Sequence, residues 1–308
     1  MRILITGGFG FIGNNLTKHI LQQIPGVKIF IVDNLLNGKR IFLKKESHFF
    51  TWKKADINKK IELEKIFKFF KPDIVVHLAA VHYIPDCEKC PKDTFRTNVF
   101  GTHNIVCLSN KYKVKHFIFA SSACVYKNDG ICSEDSQMGA NDVYSITKIL
   151  SEKLIKISCF VPWTILRFFN IFGINETNDH IIETIINQLK HSNEIKLGNI
   201  KTFRDYLYVD DLSSAIYFTI LNKKSFGSII NLGSGQPFSG KNIIRSIEKI
   251  INKRIVIQKD QDRIRKNDRK IVYANITKAK KILKWKPKIS LSMGLEEIVK
   301  YKNICKTK

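Results

Sequence analysis

Tyr144 and Lys148 stand four residues apart in the run VYSITKILSEKLI, which has helical apolar spacing and follows two good helix-capping types, Asn141 and Asp142. On a helix that spacing puts a phenol and an ammonium on one face, where both can address the same point. A surface Tyr–Lys pair would share the spacing and contribute little, so the neighbourhood decides. Just upstream, the apolar run HFIFASSACVY stops at Ser121 and Ser122, which leaves a hydroxyl at the end of a strand. A third group lies near the start of the chain, where the apolar strand residues Ile3, Leu4 and Ile5 lead into Gly7, Gly8, Gly10 and Gly13. The apolar helical pattern Phe11, Ile12, Leu16, Ile20, Leu21 follows at once. Glycines between a strand and a helix let backbone N–H groups and the positive end of the helix dipole approach a pyrophosphate. Gly7, Gly10, Phe11, Ile12 and Gly13 are the residues expected to form that cradle. A Tyr–Lys pair on one helix face, a strand-end hydroxyl and a glycine turn suited to a dinucleotide form a joint pattern that chance rarely assembles.

The next apolar run, VKIFIV, ends at Asp33 with Asn34 beside it. A carboxylate there would accept from both adenosine ribose hydroxyls and repel a 2′-phosphate, which favours NAD over NADP. Asp33 and Asn34 are also ordinary turn residues, and that reading stands beside the first. Asp56 and Ile57 follow the third strand, where a carboxylate could face an adenine amino group. The HLAA segment closes the fourth strand, and Leu78, Ala79 and Ala80 would let the backbone pass close to a cofactor or allow close strand–helix packing. His77 reads as a packed core histidine. Asn98, expected among the cofactor-binding residues, falls in the following helix, which Pro91 can open at its first turn.

These groups have to be held by alternating elements. Strands are expected near 2–6, 27–32, 49–53, 73–78, 114–120 and 162–168, with helices near 10–23, 58–70, 91–111 and 142–160. That alternation predicts an α/β class, a Rossmann-type doubly wound parallel sheet with ligands at the carboxyl ends of its strands. Helices near 181–191, 239–252, 275–284 and 290–302, with short strands between, predict a smaller C-terminal α/β lobe. The expected division is 1–168, with 203–233 returning to it, against 169–202 and 234–308.

Composition narrows the setting. With 308 residues, 44% apolar, the chain can bury a full core. No apolar run is long enough to span a bilayer and no signal-peptide h-region precedes the first strand, so a cytoplasmic protein with reduced thiols is expected. Cys87 and Cys90 form a CxxC without a second pair, and read as ordinary thiols with no metal. The net charge of +25 is scattered along the chain. A solvated basic surface that also favours a dianionic substrate is the preferred reading over a nucleic-acid binder.

Taken in order, TGGFGFIG (6–13), DNLLNG (33–38), HLAA, NVFGT (98–102), SSACVY (121–126), YSITK (144–148), LRFFNIFG (166–173), RDYLYVDDL (204–212), NLGSG (231–235) and the tail 265–287 resemble the extended short-chain dehydrogenase/reductases of the nucleotide-sugar epimerase and dehydratase group. The resemblance implies NAD as cofactor, Tyr144 as catalytic base, Ser122 on the reacting sugar hydroxyl, and Lys148 on the nicotinamide ribose, lowering the Tyr144 pKa. It places Asn170, Arg204 and Arg265 on the substrate diphosphate and implies a homodimer through the helices near 91–111 and 142–160. It also implies carbohydrate metabolism, such as cell-surface polysaccharide biosynthesis. An Arg204–Asp205 ion pair and a solvated Arg265 are the plain alternatives. His82 and Tyr83 either contact the hexose or wall its pocket. Where related dehydratases carry an Asp-Glu pair, this chain has Ala123 and Cys124, which disfavours elimination. DNLLNG is similar to the UDP-glucose 4-epimerase pattern. The expected activity is therefore epimerisation of a nucleotide-diphosphate sugar at C4 through a keto-sugar. The alternatives are a 4-oxidase or reductase, or a non-catalytic NAD- or RNA-binding regulator. No membrane insertion and no specific nucleic acid are expected.

Overall fold

The computed structural model describes residues 1–39, 49–127, 129–263 and 269–304. Its first half runs β1 (Arg2–Thr6), α1 (Phe11–Gln23), β2 (Lys28–Asp33), β3 (Phe50–Lys54), α2 (Lys60–Phe70), β4 (Ile74–His77), α3 (Ile84–Lys89), α4 (Pro91–Phe95), a π-helical segment Arg96–Gly101, α5 (Thr102–Lys111), β5 (His116–Ser122) and β6 (Gly130–Cys132). There follow α6 (Val143–Ser158), β7 (Trp163–Phe168), β8 (Asn170–Phe172), α7 (Ile181–Leu189), β9 (Glu194–Leu197), β10 (Phe203–Tyr208), α8 (Val209–Leu221) and β11 (Ser228–Leu232). The chain closes with β12 (Pro237–Ser239), α9 (Gly240–Ile251), β13 (Val256–Lys259), β14 (Ile271–Ala274), α10 (Thr277–Leu283) and α11 (Leu291–Tyr301).

Seven parallel strands in the order β11-β7-β5-β4-β1-β2-β3 form the main sheet. Strands covered on both faces read as continuous apolar runs, which is why IVVH and FIFA were visible as strands. Alternate residues feed two cores. Ile3, Ile5, Ile31 and Val76 pack with Leu16 of α1 and Leu212 of α8 on one face. Leu4, Val32, Val75 and Phe117 pack with Leu63 of α2 and Ile105 of α5 on the other. The strand order reverses beside β1, so the glycine turn opens at the crevice where this fold binds dinucleotides.

A smaller sheet, β12-β10-β14-β6 with β8 added to β10, carries the second lobe. The strand-like run RDYLYV, expected with the main sheet, is β10 and belongs here instead. Its Tyr206 and Tyr208 pack with Phe172, Ile185 and Leu295 in a separate core, and β11 fills the edge of the main sheet beside β7. Only the later part of that stretch joins the first lobe: α8 covers the main sheet and β11 extends it.

The helix expected over 91–111 is continuous but locally widened at 96–101. The carbonyl of Asn98 there accepts from the hydroxyls of Thr102 at 2.6 Å and Ser151 at 2.9 Å. Gly101 lets the widened turn pass Ile57, whose Cδ1 would lie 2.6 Å from an added Cβ. Among the described residues no helix is long and apolar enough to cross a membrane.

Candidate active site

The glycine turn is set by backbone contact. Gly7 has φ +70°, and an added Cβ would lie 2.8 Å from the Ala79 backbone. Gly13 sits where a Cβ would fall 2.4 Å from the Gly7 carbonyl. Both glycines are therefore required by packing alone. Gly10 differs: it caps α1 without a side-chain hydrogen bond, and an added Cβ would meet nothing nearer than the Gly7 carbonyl at 3.3 Å. The first turn of α1, with Phe11 and Ile12, thus begins at a glycine with no side-chain cap, and an N-terminus of this kind fits a pyrophosphate.

Asp33 is buried at the end of β2, where Oδ2 accepts from the Phe9 amide at 2.9 Å and Oδ1 from the Leu35 amide at 2.8 Å. Burial raises its pKa and the two amides oppose that. Asn34 shapes the same turn by accepting from the Leu36 amide at 3.2 Å. The turn and ribose readings of this pair are compatible, since each carboxylate oxygen keeps a second lone pair. Asn14, missed in the sequence, joins the loops: its Nδ2 donates to the Phe9 carbonyl at 2.7 Å and the Lys39 carbonyl at 2.9 Å.

Asp56 accepts from the amide and side chain of Asn58, both at 2.9 Å, and Ile57 is buried beneath Gly101. Leu78 and Ala79 continue from β4, held to the Thr6 carbonyl at 3.1 Å and its hydroxyl at 3.3 Å; Ala80 follows, half-buried. His77 bridges Thr6 at 2.6 Å and Thr102 at 3.0 Å, and burial lowers its pKa to about 3. Asn98, expected at the cofactor, is engaged within the protein. Its amide brackets Val81 with two 2.8 Å bonds and donates to Thr147 at 3.0 Å, tying the loop after β4 to α6.

The proton-transfer group lies where β5 meets α6. Asp142 opens α6 with a reciprocal cap: its carboxylate accepts from the Ser145 amide at 2.7 Å, and the Ser145 hydroxyl accepts from the Asp142 amide at 3.1 Å. In the first turn of α6, the Tyr144 phenol lies beside Ser122, whose side chain acts to lower the phenol's pKa. Lys148 Nζ donates to the Ala120 carbonyl at 2.8 Å and lies 5.7 Å from the Tyr144 ring centre. Burial outweighs Ser122 and holds the Tyr144 phenol well above its ordinary pKa. Burial also brings Lys148 down to about 8. The expected lowering of Tyr144 by Lys148 is thus outweighed by burial in the chain alone. Burial pushes the Cys124 thiol up to about 12 and the Cys87 thiol up to about 11, so neither carries charge near neutrality. Cys90 is exposed, and both members of the CxxC are free thiols.

The substrate-side candidates come from both lobes. His82 meets Asn178 at 2.8 Å and Tyr83 stacks edge-on to His180 with ring centres 5.9 Å apart, so the loop after β4 reaches the loop after β8. Asn170 is exposed at the start of β8 and pairs in register with Tyr206, two residues from Arg204 on β10. Asp205 faces away from Arg204, as strand neighbours do, and accepts from Ser234, Gly235 and Ala274. Arg265 lies outside the described residues.

Comparison with known proteins places this architecture. The model of the NAD dependent epimerase/dehydratase family matches residues 3–233. A dTDP-D-glucose 4,6-dehydratase of Dictyostelium discoideum is 32% identical over 82% of the chain, a match spanning 62% of that protein's length. A bifunctional UDP-glucose and UDP-xylose 4-epimerase of Arabidopsis thaliana is 31% identical over 93% of the chain and 91% of the relative. Among solved structures, a UDP-glucuronic acid 4-epimerase from Bacillus cereus, in complex with UDP-glucuronic acid and NAD, superposes with a TM-score of 0.90 at 27% identity, covering 98% of this chain and 99% of that one.

Proposed function

This chain belongs to the NAD-dependent epimerase/dehydratase family, with NAD as cofactor, and on that premise we propose that it epimerises a nucleotide-diphosphate sugar at C4. When bound, NAD supplies the acceptor and donor of a hydride. The chain's own residues do the rest. The Gly7–Gly13 turn and the first turn of α1 hold the pyrophosphate, and Asp33 takes the adenosine ribose. Ser122 orients the sugar 4-hydroxyl, and Tyr144 removes its proton and later returns it. Burial holds the Tyr144 phenol protonated, and positive charge arriving beside it favours the phenolate that can take the hydroxyl proton. Lys148 supplies part of that charge and binds the nicotinamide ribose. Arg204, Asn170 and Arg265 grip the diphosphate.

The observation that carries the choice of reaction is the segment after Ser122. A dehydratase needs an acid and a base there. Ala123 has neither, and Cys124 is a thiol held neutral up to about 12. The hydroxyl, phenol and ammonium are present without the groups for elimination, which leaves oxidation and return of the hydride to the other face. Proton NMR in D₂O with NAD and UDP-, GDP-, CDP- and dTDP-sugars tests this. The expected product is a C4 epimer without carbon-bound deuterium. Deuterium beside C4 would indicate elimination chemistry, and stoichiometric NADH would indicate an oxidase.

A homodimer through α5 and α6 is part of the same proposal. Ile146, Leu150 and Ile157 form one exposed stripe along α6, at 40%, 39% and 79% exposure, with Phe100 exposed at 63% on the neighbouring π-helical segment. Such a stripe suits a helical partner face. Sedimentation equilibrium of the purified chain reads it directly.

A further inference from the structure

Tyr144, Lys148 and Glu152 follow one another at four-residue intervals on α6, and each meets the end of β5. Tyr144 lies beside Ser122, Lys148 donates to the Ala120 carbonyl at 2.8 Å, and Glu152 accepts from the Ser121 hydroxyl at 2.5 Å. Three successive turns of one helix thus engage three successive strand residues. Two of those contacts belong to the reaction proposed above; the third has had no role.

Glu152 is fully buried, where a carboxylate is costly without a partner. Its partner is Arg167 of β7, 1% exposed, whose Nε and Nη2 reach the two carboxylate oxygens at 2.9 and 2.7 Å. Arg167 is itself fixed: Nη1 donates to the Glu134 carbonyl at 3.0 Å, and the guanidinium lies 4.8 Å over the Tyr126 ring. Well-packed apolar side chains would join the same elements without the desolvation cost of two ions. The charge on Glu152 therefore calls for a use, and the nearest cation on its own helix is Lys148, one turn back.

We propose that Glu152, clamped by Arg167, is a positioning residue that keeps Lys148 an ammonium against the Ala120 carbonyl and fixes the strand end bearing Ser122. What Lys148 and Ser122 then do rests on the active-site reading above. Burial works against the ammonium, and the Glu152 carboxylate opposes burial. The other titratable groups facing Lys148 are Tyr144 on α6, Cys87 of α3, Cys124 after β5, His77 of β4 and His82 in the loop beyond it. Tyr144, Cys87 and Cys124 are held protonated by burial and His77 is held neutral, so near pH 7 none of these four offers the negative charge that Glu152 does.

The test follows Lys148 in the full chain without cofactor or sugar. With ¹³Cε-labelled lysine, the Lys148 signal is the one lost in Lys148→Arg, and its titration midpoint is expected near 8. Glu152→Gln keeps the shape and removes the charge, and should move that midpoint down by roughly one pH unit. Glu152→Asp keeps the charge and should leave the midpoint near the parent's. An unmoved midpoint in Glu152→Gln overturns the proposal and leaves the pair a packing element. Should Glu152→Gln not fold, because Arg167 is left unpaired, Arg167→Met and Glu152→Gln/Arg167→Met are titrated as a pair that differs only at residue 152, and the same downward displacement between them is required. This readout needs no turnover, so a wrong sugar or a wrong reaction would leave it standing.

Discussion

The proposed cofactor cradle and the proposed diphosphate grip are built by opposite means. The cradle is a local object: a Cβ added at Gly7 would lie 2.8 Å from the Ala79 backbone and one at Gly13 would lie 2.4 Å from the Gly7 carbonyl, so the turn leaves no room for side chains there. The grip is assembled at long range. Asn170 and Arg204 sit on adjacent strands of a sheet whose other members come from residues 130–132, 237–239 and 271–274. The first site is specified by what cannot fit, the second by which strands find one another. Cofactor and substrate binding should therefore respond to different changes.

Tyr144→Phe gives the largest separation. It should cost turnover about 10³-fold, the scale of positioned proton transfer, while NAD affinity by calorimetry stays near the parent's. A parallel loss of NAD affinity would break the distinction, because the proton-transfer residue would then belong to the cradle. Arg204→Ala comes next. Losing charge-assisted bonds to a phosphate should weaken a nucleotide-sugar by about 10- to 100-fold, read as its dissociation constant, with NAD unaffected. Equal affinity in parent and variant would remove Arg204 from the grip. Asp33→Ala acts on the other region. It should lower the preference for NAD over NADP by about tenfold, measured as a ratio of dissociation constants, and an unchanged ratio would leave Asp33 a turn residue.

The smallest effect concerns the loop that carries Asn178 and His180. Burial raises Glu176 from its ordinary value to about 7. A carboxyl with its folded pKa raised favours the fold when protonated, so its contribution is complete below its unfolded pKa and is lost as pH rises through 7. Glu176→Gln should then raise Tm by a few degrees at pH 8 and have little effect near pH 5. Melting curves at the two pH values check this, and an equal gain at both would mean the carboxyl is not forced to ionise in place.

The same contrast explains what could be read from the residues alone. Strands β1, β2, β4, β5 and β7 were legible because burial on both faces makes apolar runs. Ser122, Tyr144 and Lys148 were legible because their relation is a helix turn and a strand end. Helix α8 was hidden behind the strand-like RDYLYV, and the sheet that RDYLYV joins depends on partners far along the chain. Glu152 was passed over because a lone acid among helix lysines reads as solvated; its depth comes from Arg167 on another element. The bonds from the Asn98 amide to Val81 and Thr147 were not legible, because those partners lie on the loop after β4 and on α6. The exposed stripe on α6 escaped notice because three apolar residues on a helix look alike until the buried face is known.

The interleaved second sheet bears on how the chain is made. Among the described residues, Gly130–Cys132 pairs along the sheet only with Ile271–Ala274, and that late strand also separates it from Phe203–Tyr208. During synthesis the N-terminal strands can pair and take up their helices as they emerge. The early edge strand of the second lobe must wait, its amide row open, until residues 271–274 have left the ribosome. A stalled or truncated product would thus hold a formed dinucleotide cradle next to an unsatisfied strand edge, the kind of surface that recruits chaperones or other nascent chains.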